Sequence, residues 1–298
     1  METKKIKAGR EDRIFNIAVT VISLVVLVIV LYPLYFVIIA SISSPEDISL
    51  GKVTFLPSGI NFAAYKFVLE EWKIWRGYLN TIFYTFFGTL LGTSVTLMAA
   101  FALSRRDLFG RNVITKLFVF TMFFSGGLIP YYVLLRSLGL LNTFWVYVVP
   151  GMVNAFFVMT GINFFASIPE SMIEAAKIDG AREIKILTKI VLPVSKPFLA
   201  TLALFAAVGQ WNSWLDSAYY VRDISLQTLS FKMMTTINQT LASAANADAA
   251  GQISQANTAT SFTVQATAMA VSMVPIMCVY PFLQKYFVQG MMIGAVKE

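Results

Sequence analysis

The sequence predicts an all-α, polytopic membrane protein with six membrane-spanning helices. Of its 298 residues, 57% are hydrophobic and 13% are charged, and the mean hydropathy of +0.69 is too high for an ordinary soluble domain. Apolar runs long enough to cross a hydrocarbon core of about 30 Å recur along the chain. Basic residues are concentrated in alternate connecting segments, a pattern typical of a multi-span membrane protein.

Six apolar segments have about the 20 residues that a helix needs to cross a bilayer. They are residues 14–42, 78–103, 113–135, 142–166, 197–215 and 263–284. Basic residues precede the first segment and small residues follow it, as in a signal peptide, but the apolar stretch is too long for a signal sequence. We therefore predict a retained first span, an amino-terminal tail over 1–13 and a single transmembrane domain over 14–298.

Loop charge predicts the orientation of these spans. Most basic residues lie in the tail, after the second and fourth spans, and at the carboxy-terminal end: Lys4, Lys5, Lys7, Arg10, Arg13, Arg105, Arg106, Arg111, Lys116, Lys177, Arg182, Lys185, Lys189, Lys196, Lys285 and Lys297. Because Lys and Arg are enriched on the cytoplasmic side, both termini are predicted to lie in the cytoplasm. The net charge of +7 is explained by these loops, and no nucleic-acid partner is predicted.

Several kinds of chemistry are excluded by residues that the chain lacks. It has no histidine, and Cys278 is its single cysteine, which excludes a disulfide framework, a Cys/His zinc cluster and a histidine base. No catalytic residue and no metal ligand is predicted. The sequence contains no G-x-x-x-x-G-K-[ST] phosphate loop, so we expect the chain to bind no cofactor and any ATP to be hydrolysed by another polypeptide.

The span interiors hold almost no ionisable residue, whereas ion-coupled carriers usually place such groups at membrane depth. Small residues line one face of the second span, including the Gly88/Gly92 pair, which predicts close helix packing within the chain or between subunits. The glycines at 126–127 in the third span suggest either a kink or a solute pathway. The tryptophans at the end of the fifth span suggest either an interfacial anchor or a solute pathway. The candidate pathway residues are Gly126, Gly127, Asn154, Gln210, Trp211, Asn212 and Trp214.

The outer segments, 43–77 and 216–262, differ from the inner ones in composition. Within the second, residues 242–260 are small, polar and nearly uncharged. Such a stretch is typical of a disordered linker, and its length is also typical of a functional loop.

The insert at 169–197, between the fourth and fifth spans, is the one long polar interruption. It predicts a helix that Ser167 caps, with Pro169 and Glu170 in its first turn and Gly180 as its left-handed end. A second amphipathic run, 181–191, has Ile184, Leu187, Ile190 and Val191 on its apolar side and is broken by Leu192-Pro193. On these features alone, a helix pair lying on lipid headgroups and a protein-docking surface are equally well supported.

The insert resembles the EAA loop of ABC importer permeases. It contains Glu174-Ala175-Ala176, then Asp179-Gly180-Ala181, then Ile190-Val191-Leu192-Pro193, in the order and spacing of that loop. Nearly the whole chain resembles the maltose-type carbohydrate uptake family, including Trp211-Asn212 at the end of the fifth span. Residues 124–130 and 289–297 resemble a branch of that family associated with complex oligosaccharides.

The resemblance implies a permease subunit of the bacterial inner membrane. Its expected partners are a second, nonidentical permease, two ATPase subunits that bind Mg-ATP, an extracytoplasmic solute-binding protein, an oligosaccharide and the lipid bilayer. It also implies that 170–180 is a cytoplasmic coupling helix and that 242–260 reaches into the binding protein. The implied coupling residues are Glu170, Glu174, Ala175, Ala176, Asp179, Gly180, Ala181, Leu192 and Pro193.

Two alternatives remain open from the residues themselves. An EAA-like loop also occurs in a permease for amino acids, peptides or anions. A secondary carrier is the alternative from another class, because backbone carbonyls can bind sodium without a carboxylate in the membrane.

Overall fold

All regular structure in the described part of the chain is helical. The computed structural model describes residues 9–70, 72–249, 262–278 and 281. The helices are α1 (Arg10–Ser41), α2 (Pro45–Ser49), α3 (Ala63–Glu70), α4 (Trp72–Ser104), α5 (Arg111–Phe123), α6 (Leu128–Ser137), α7 (Trp145–Val148), α8 (Ala155–Ala166), α9 (Glu170–Ile178), α10 (Glu183–Ile186), α11 (Leu192–Val194), α12 (Lys196–Trp211), α13 (Leu215–Tyr220), α14 (Leu229–Ala249) and α15 (Phe262–Cys278). A π-helical segment, Leu187–Val191, joins α10 to α11, and a 3₁₀ turn, Ile224–Leu226, precedes α14.

The chain divides into two compact units. One is Met1–Glu70 with Ile237–Val271, and the other is Glu71–Thr236 with Ser272–Glu298. In the first unit, α1 is a single long apolar helix whose large side chains are exposed along most of its length. Its end is covered, because Thr267 Oγ1 donates to the Ser41 carbonyl at 3.3 Å and Phe36 lies 6.4 Å from Phe262 between ring centroids.

Helix α4 is the centre of the second unit and packs along α8 and α12. Small residues make these approaches possible. A Cβ on Gly161 of α8 would lie 2.6 Å from the Ala100 Cβ of α4, and one on Gly88 would lie 3.1 Å from the Gln210 Cδ of α12. Internal packing by the Gly88 stripe is therefore confirmed, since its neighbour belongs to the same chain.

Two of the predicted spans are interrupted helices. The third is divided into α5 and α6 at 124–127, where the sequence places Ser125-Gly126-Gly127. The fourth is divided into α7 and α8, because Pro150 and Gly151 follow Val149 and Asn154 accepts the Phe157 N–H to begin a new helix. The fourth predicted span is therefore a broken helix, and the Pro-Gly pair is the physical cause of the break.

The six-span count is not confirmed by helix length. Within the described residues, two helices are long and apolar enough to cross a membrane, one over Glu11–Ser41 and one over Ile74–Ser104. Two pairs of helices are long and apolar enough to cross a membrane only if each bent pair is counted as one span. These pairs are α8 with α9, bent by 77°, and Glu183–Val194 with α12, bent by 89°. The sixth predicted span is described only as far as α15, and its remainder lies outside the described residues.

The long second outer segment is more helical than its composition predicts. After α13, Asn80 of α4 donates to the Ser225 and Gln227 carbonyls at 2.6 and 3.0 Å, which fixes the 3₁₀ turn, and α14 then runs to Ala249. Residues 242–249 are therefore helical rather than part of a loop, and the high helix propensity of their alanines explains the difference. The rest of the predicted loop, from 250 to 261, lies outside the described residues.

Candidate functional site

The charged insert folds into a helical hairpin, residues 170–194, whose first arm is α9. Its turn is a Schellman motif: the Ala181 N–H donates to the Ala176 carbonyl at 2.9 Å and the Gly180 N–H to the Lys177 carbonyl at 3.0 Å. Gly180 has a φ of +75°, a conformation that favours glycine. The predicted left-handed end at Gly180 is confirmed.

The start of α9 differs from its prediction. Pro169 is the residue before the helix and gives no side-chain cap, while Ser167 ends α8 and donates its Oγ hydrogen to the Phe164 carbonyl at 2.7 Å. The prediction that Ser167 caps the insert is wrong. The extended Pro169, with ψ of 128°, separates the two helices, so Ser167 belongs to the first of them.

The hairpin has a buried face and an open face. Ile173 and Ala176 lie in one hydrophobic cluster with residues of α4, α8 and α12, and Ile173 is only 3% exposed. The predicted coupling residues Glu170, Glu174, Ala175, Asp179 and Gly180 are exposed, and Ala181 is half-buried. One face of the first arm thus packs into the hydrophobic cluster, and its other face exposes acidic and small side chains.

The second arm joins the same cluster through Ile186, Leu187 and Val191. Ile184 was predicted on the apolar side, but it is 78% exposed. The wider π-helical turn changes the periodicity, so that buried Ile186 and Val191 are five residues apart.

The predicted break at Leu192-Pro193 is displaced to Ser195. Leu192 is half-buried, Pro193 is exposed, and the helix continues to Val194 before the chain bends by 89° into α12. Proline removes one backbone donor and crowds the preceding turn. The π-helical segment directly before Pro193 widens that turn, which explains why helix continues through it.

A group of ion pairs, not foreseen from the sequence, ties the hairpin to the connection between α4 and α5. Lys177 Nζ lies 2.9 Å from Glu183 and 3.7 Å from Asp107, and Arg105 lies 3.9 Å from Glu170. Glu183, by its hydrogen bond, raises the pKa of Lys177 above its ordinary value. We call these five residues the charge clasp, because they connect both ends of α9 to the segment that follows α4.

A polar cavity of about 210 Å³ lies among α4, α8 and α12 of the same unit. Its lining comprises Gly88, Gly92, Thr93, Thr96, Gly151, Asn154, Phe157, Leu202, Phe205, Ala206, Gly209 and Gln210. The buried hydroxyl of Thr93 has no hydrogen-bond partner among the described residues. The lining holds no charged side chain, so the cavity offers neutral donors and acceptors only.

The predicted pathway residues separate into three places. Asn154 and Gln210 both line the cavity, and Gln210 Nε2 donates to the Tyr147 carbonyl at 2.7 Å. Trp211 is buried instead, with its Nε1 donating to the Ser272 carbonyl at 3.3 Å and its ring 6.1 Å from Tyr78. It therefore packs internally and presents no open ring face to a solute.

The other candidates do not line the cavity. Asn212 is exposed, and its Nδ2 donates back to the Val208 carbonyl at 2.9 Å. Trp214 is exposed at the start of α13, and Gly126 and Gly127 are exposed at the break between α5 and α6. Among the residues that the structure describes, no group of acidic, cysteine or histidine side chains is arranged to hold a metal ion.

Comparison with known proteins identifies the family. No family model matches the chain. It is 33% identical over 287 residues to the polygalacturonan/rhamnogalacturonan transport system permease protein YtcP of Bacillus subtilis, covering 96% of this chain and 99% of the relative. It is 35% identical over 269 residues to protein LplC of the same organism, covering 90% of each.

A solved structure agrees with these relatives. The crystal structure of a bacterial ABC transporter involved in the import of the acidic polysaccharide alginate contains a chain that is 34% identical to this one. The two superpose with a TM-score of 0.80, over 95% of this chain and 100% of the other. The chain belongs to the carbohydrate ABC importer permeases. The resemblance stated from the insert is thereby confirmed.

Proposed function

We propose that this permease is one of two nonidentical membrane subunits of an ATP-driven importer for oligosaccharides. It spans the inner membrane of a bacterium six times, with both termini in the cytoplasm. The chain holds no cofactor of its own, and two ATPase subunits bind and hydrolyse Mg-ATP. An extracytoplasmic binding protein delivers the glycan.

The observation that carries the proposal is the two-faced hairpin. Its buried residues share one cluster with α4, α8 and α12, whereas Glu174, Ala175 and Asp179 are exposed beside the Gly180 turn. A rigid element that is packed into the helices on one side and open on the other suits the transfer of motion from an ATPase to the transmembrane helices. Interiors packed at protein density transmit small displacements well.

An oligosaccharide is favoured by the polar cavity and by the relatives. Thr93, Thr96, Asn154 and Gln210 supply neutral hydroxyl and amide groups, which suit the hydroxyls of a sugar. YtcP is named for polygalacturonan and rhamnogalacturonan transport, and the superposed chain belongs to a transporter of alginate. A charged carboxylate on the substrate would need a partner outside this cavity, since the lining contains no cation.

The hairpin turn gives the first test. Proline fixes φ near −65°, so it cannot adopt the +75° of Gly180, whereas asparagine tolerates left-handed conformations. In the assembled transporter, with its binding protein, in vesicles, Gly180→Pro is expected to abolish glycan uptake while ATP hydrolysis continues. Gly180→Asn, its matched control, is expected to retain most uptake. Equal uptake in both variants would contradict the proposal.

A charge reversal on the open face tests the same idea without changing the backbone. Glu174→Lys is expected to lower uptake per ATP hydrolysed, because it reverses a charge on the proposed docking face. Glu70→Lys reverses another exposed acid, which pairs with Lys66 at 3.8 Å in α3, and is expected to leave the ratio unchanged. Wild-type coupling in Glu174→Lys would count against ATPase docking at this face.

Two measurements distinguish the alternatives. A ligand screen of the binding protein separates glycan from amino-acid, peptide or anion transport. Tight binding of an amino acid without glycan binding would favour transport of a solute other than a sugar.

Purified chain alone in vesicles with an ion gradient tests the secondary carrier. Gradient-driven uptake in that experiment would contradict ATP-driven transport.

A further inference from the structure

The segment after α1 folds back along that helix instead of extending away from it. Tyr32 donates its hydroxyl hydrogen to the Thr54 carbonyl at 3.4 Å, and Tyr35 donates to the carbonyl of Phe55. The rings of Tyr32 and Phe55 also lie 5.8 Å apart between centroids. Residues 54–56, which we call the tip, therefore lie beside the penultimate turns of α1.

A compact polar network holds the tip in this place. Asp47 accepts the Ser58 hydroxyl at 2.7 Å and pairs with Lys52 at 3.1 Å, and the Ser44 N–H donates to the Ser58 carbonyl at 3.0 Å. Gly59 has a φ of +58°, and a Cβ there would lie 2.6 Å from Ser44 Oγ. The loop is thus folded tightly around its own polar groups.

The tip itself presents apolar side chains outward. Phe55 is 69% exposed and Leu56 is 73% exposed, and neither has a charged neighbour in the sequence from 53 to 57. The adjacent surface of α1 is equally apolar and exposed from Ile14 to Ile38. The tip therefore adds apolar side chains to an already apolar, exposed surface of α1.

The position along α1 gives the depth. Tyr35 lies six residues before Ser41, so the tip lies about 9 Å back from the end of the helix at 1.5 Å per residue. The apolar stretch of α1 is longer than a hydrocarbon core of about 30 Å requires. A tip at this level reaches the boundary between headgroups and acyl chains, where aromatic side chains are enriched.

We propose that the tip inserts into the outer leaflet of the bilayer and anchors this end of the permease. Carbonyl groups are costly in an apolar medium unless they accept hydrogen bonds. The hydroxyls of Tyr32 and Tyr35 meet this requirement for two adjacent carbonyls of the tip. The apolar side chains of Phe55 and Leu56 contact the acyl chains, and the network around Asp47 remains at the aqueous side.

The test uses the single native cysteine. In a Cys278→Ser background, Leu56→Cys and Phe55→Cys are each labelled with a nitroxide in the assembled transporter. The vesicles contain phosphatidylethanolamine and phosphatidylglycerol. Collision of the nitroxide with oxygen reports exposure to lipid, and collision of the nitroxide with a nickel chelate reports exposure to water. Glu46→Cys and Ser49→Cys, on exposed positions of α2, are the matched controls.

The ratio of oxygen to nickel collision is expected to be several-fold higher at the tip than at either control. Equal ratios at the tip and at the controls would overturn the proposal, because the tip would then face water. Low collision with both reagents at the tip would also overturn it, because another protein subunit would then cover the tip. Neither result depends on ATP, glycan or uptake, so failure here is distinct from failure of the proposed function.

A second variant tests the role of the tyrosine hydroxyl. Tyr35→Phe leaves the Phe55 carbonyl without this donor, and we expect the ratio at position 56 to fall toward that of the controls. Tyr65→Phe removes a hydroxyl whose described hydrogen bond is with Ser41 Oγ, at 2.9 Å, and not with a carbonyl of the tip. That variant is expected to leave the ratio unchanged, and equal ratios in the two variants would overturn the proposed role of Tyr35.

Discussion

Two threonines on α4 with buried hydroxyls show how differently one residue type is used. Thr81 Oγ1 accepts the Leu229 N–H at 2.8 Å, whereas Thr93 Oγ1 borders the polar cavity without a partner among the described residues. Thr81→Val therefore leaves a buried donor unpaired and is expected to lower the free energy of unfolding by about 1–3 kcal/mol. Thermal unfolding of the purified complex measures this loss.

Thr93→Val is the matched substitution at the cavity. It removes a hydroxyl that makes no hydrogen bond, so the unfolding temperature is expected to stay the same or rise. If the cavity borders the glycan pathway, the KM for uptake is expected to increase at the same time. A loss of stability as large as that of Thr81→Val would show that the Thr93 hydroxyl is paired.

The sequence predicts a residue's structural role well where its own backbone conformation determines that role, and less well where residues from other elements determine it. Gly180 was assigned correctly, because only the left-handed region fits a Schellman end. Ile184 and Ser167 were assigned wrongly, because a π-helical turn and the end of α8 determine their surroundings. The pairing of Asn80 with the turn before α14 depends on residues about 145 positions away, and no local pattern encodes it.

The charge clasp acts between elements, joining α9 to the segment after α4. The pKa of Lys177 is raised, so its ammonium is charged below its ordinary pKa and loses that charge only as the pH rises through the raised pKa. Changes of pH around neutrality therefore leave the clasp unchanged. Salt is the better probe, since the screening length falls from about 8 Å at physiological ionic strength to about 3 Å at 1 M.

Charge exchange tests whether the clasp helps to transmit motion. Asp107→Lys is expected to lower uptake per ATP by less than about fivefold, because exposed pairs contribute at most about 1 kcal/mol. Asp107→Lys combined with Lys177→Asp is expected to restore part of the loss.

Arg105→Glu and Arg106→Glu form a second comparison, since Arg105 has a described ion pair and Arg106 has none among the described residues. Equal effects of these two reversals would exclude a specific clasp.

Helix breaks were only partly predicted from the sequence. The glycine pair at 126–127 interrupts the third predicted span as expected, whereas the break at Pro150-Gly151 in the fourth span was not predicted. The alanine-rich start of the outer stretch is helical to Ala249 because low side-chain entropy cost outweighs its small, polar composition. Composition identifies which segments are apolar, and packing determines whether each is one helix.

Orientation is a property of the whole molecule, and labelling of single cysteines tests it. In a Cys278→Ser background, Ser49→Cys reports the segment after α1 and Ser171→Cys reports the hairpin, at two exposed positions. A membrane-impermeant maleimide applied to intact cells stripped of outer barriers is expected to label position 49. Position 171 is expected to react only after the membrane is opened, because the basic loops predict a cytoplasmic hairpin.

The reverse labelling would contradict more than the orientation. A hairpin on the outer side would place the exposed acidic face of α9 where no ATPase is present. The packing of Ile173 and Val191 into the helical core would then stabilise the fold without transmitting motion. Labelling of both positions from outside would mean that the chain crosses the membrane an even number of times between residues 49 and 171, instead of the three times predicted. The interrupted segments α5–α6 and α7–α8 would then be the first whose assignment as spans is reconsidered.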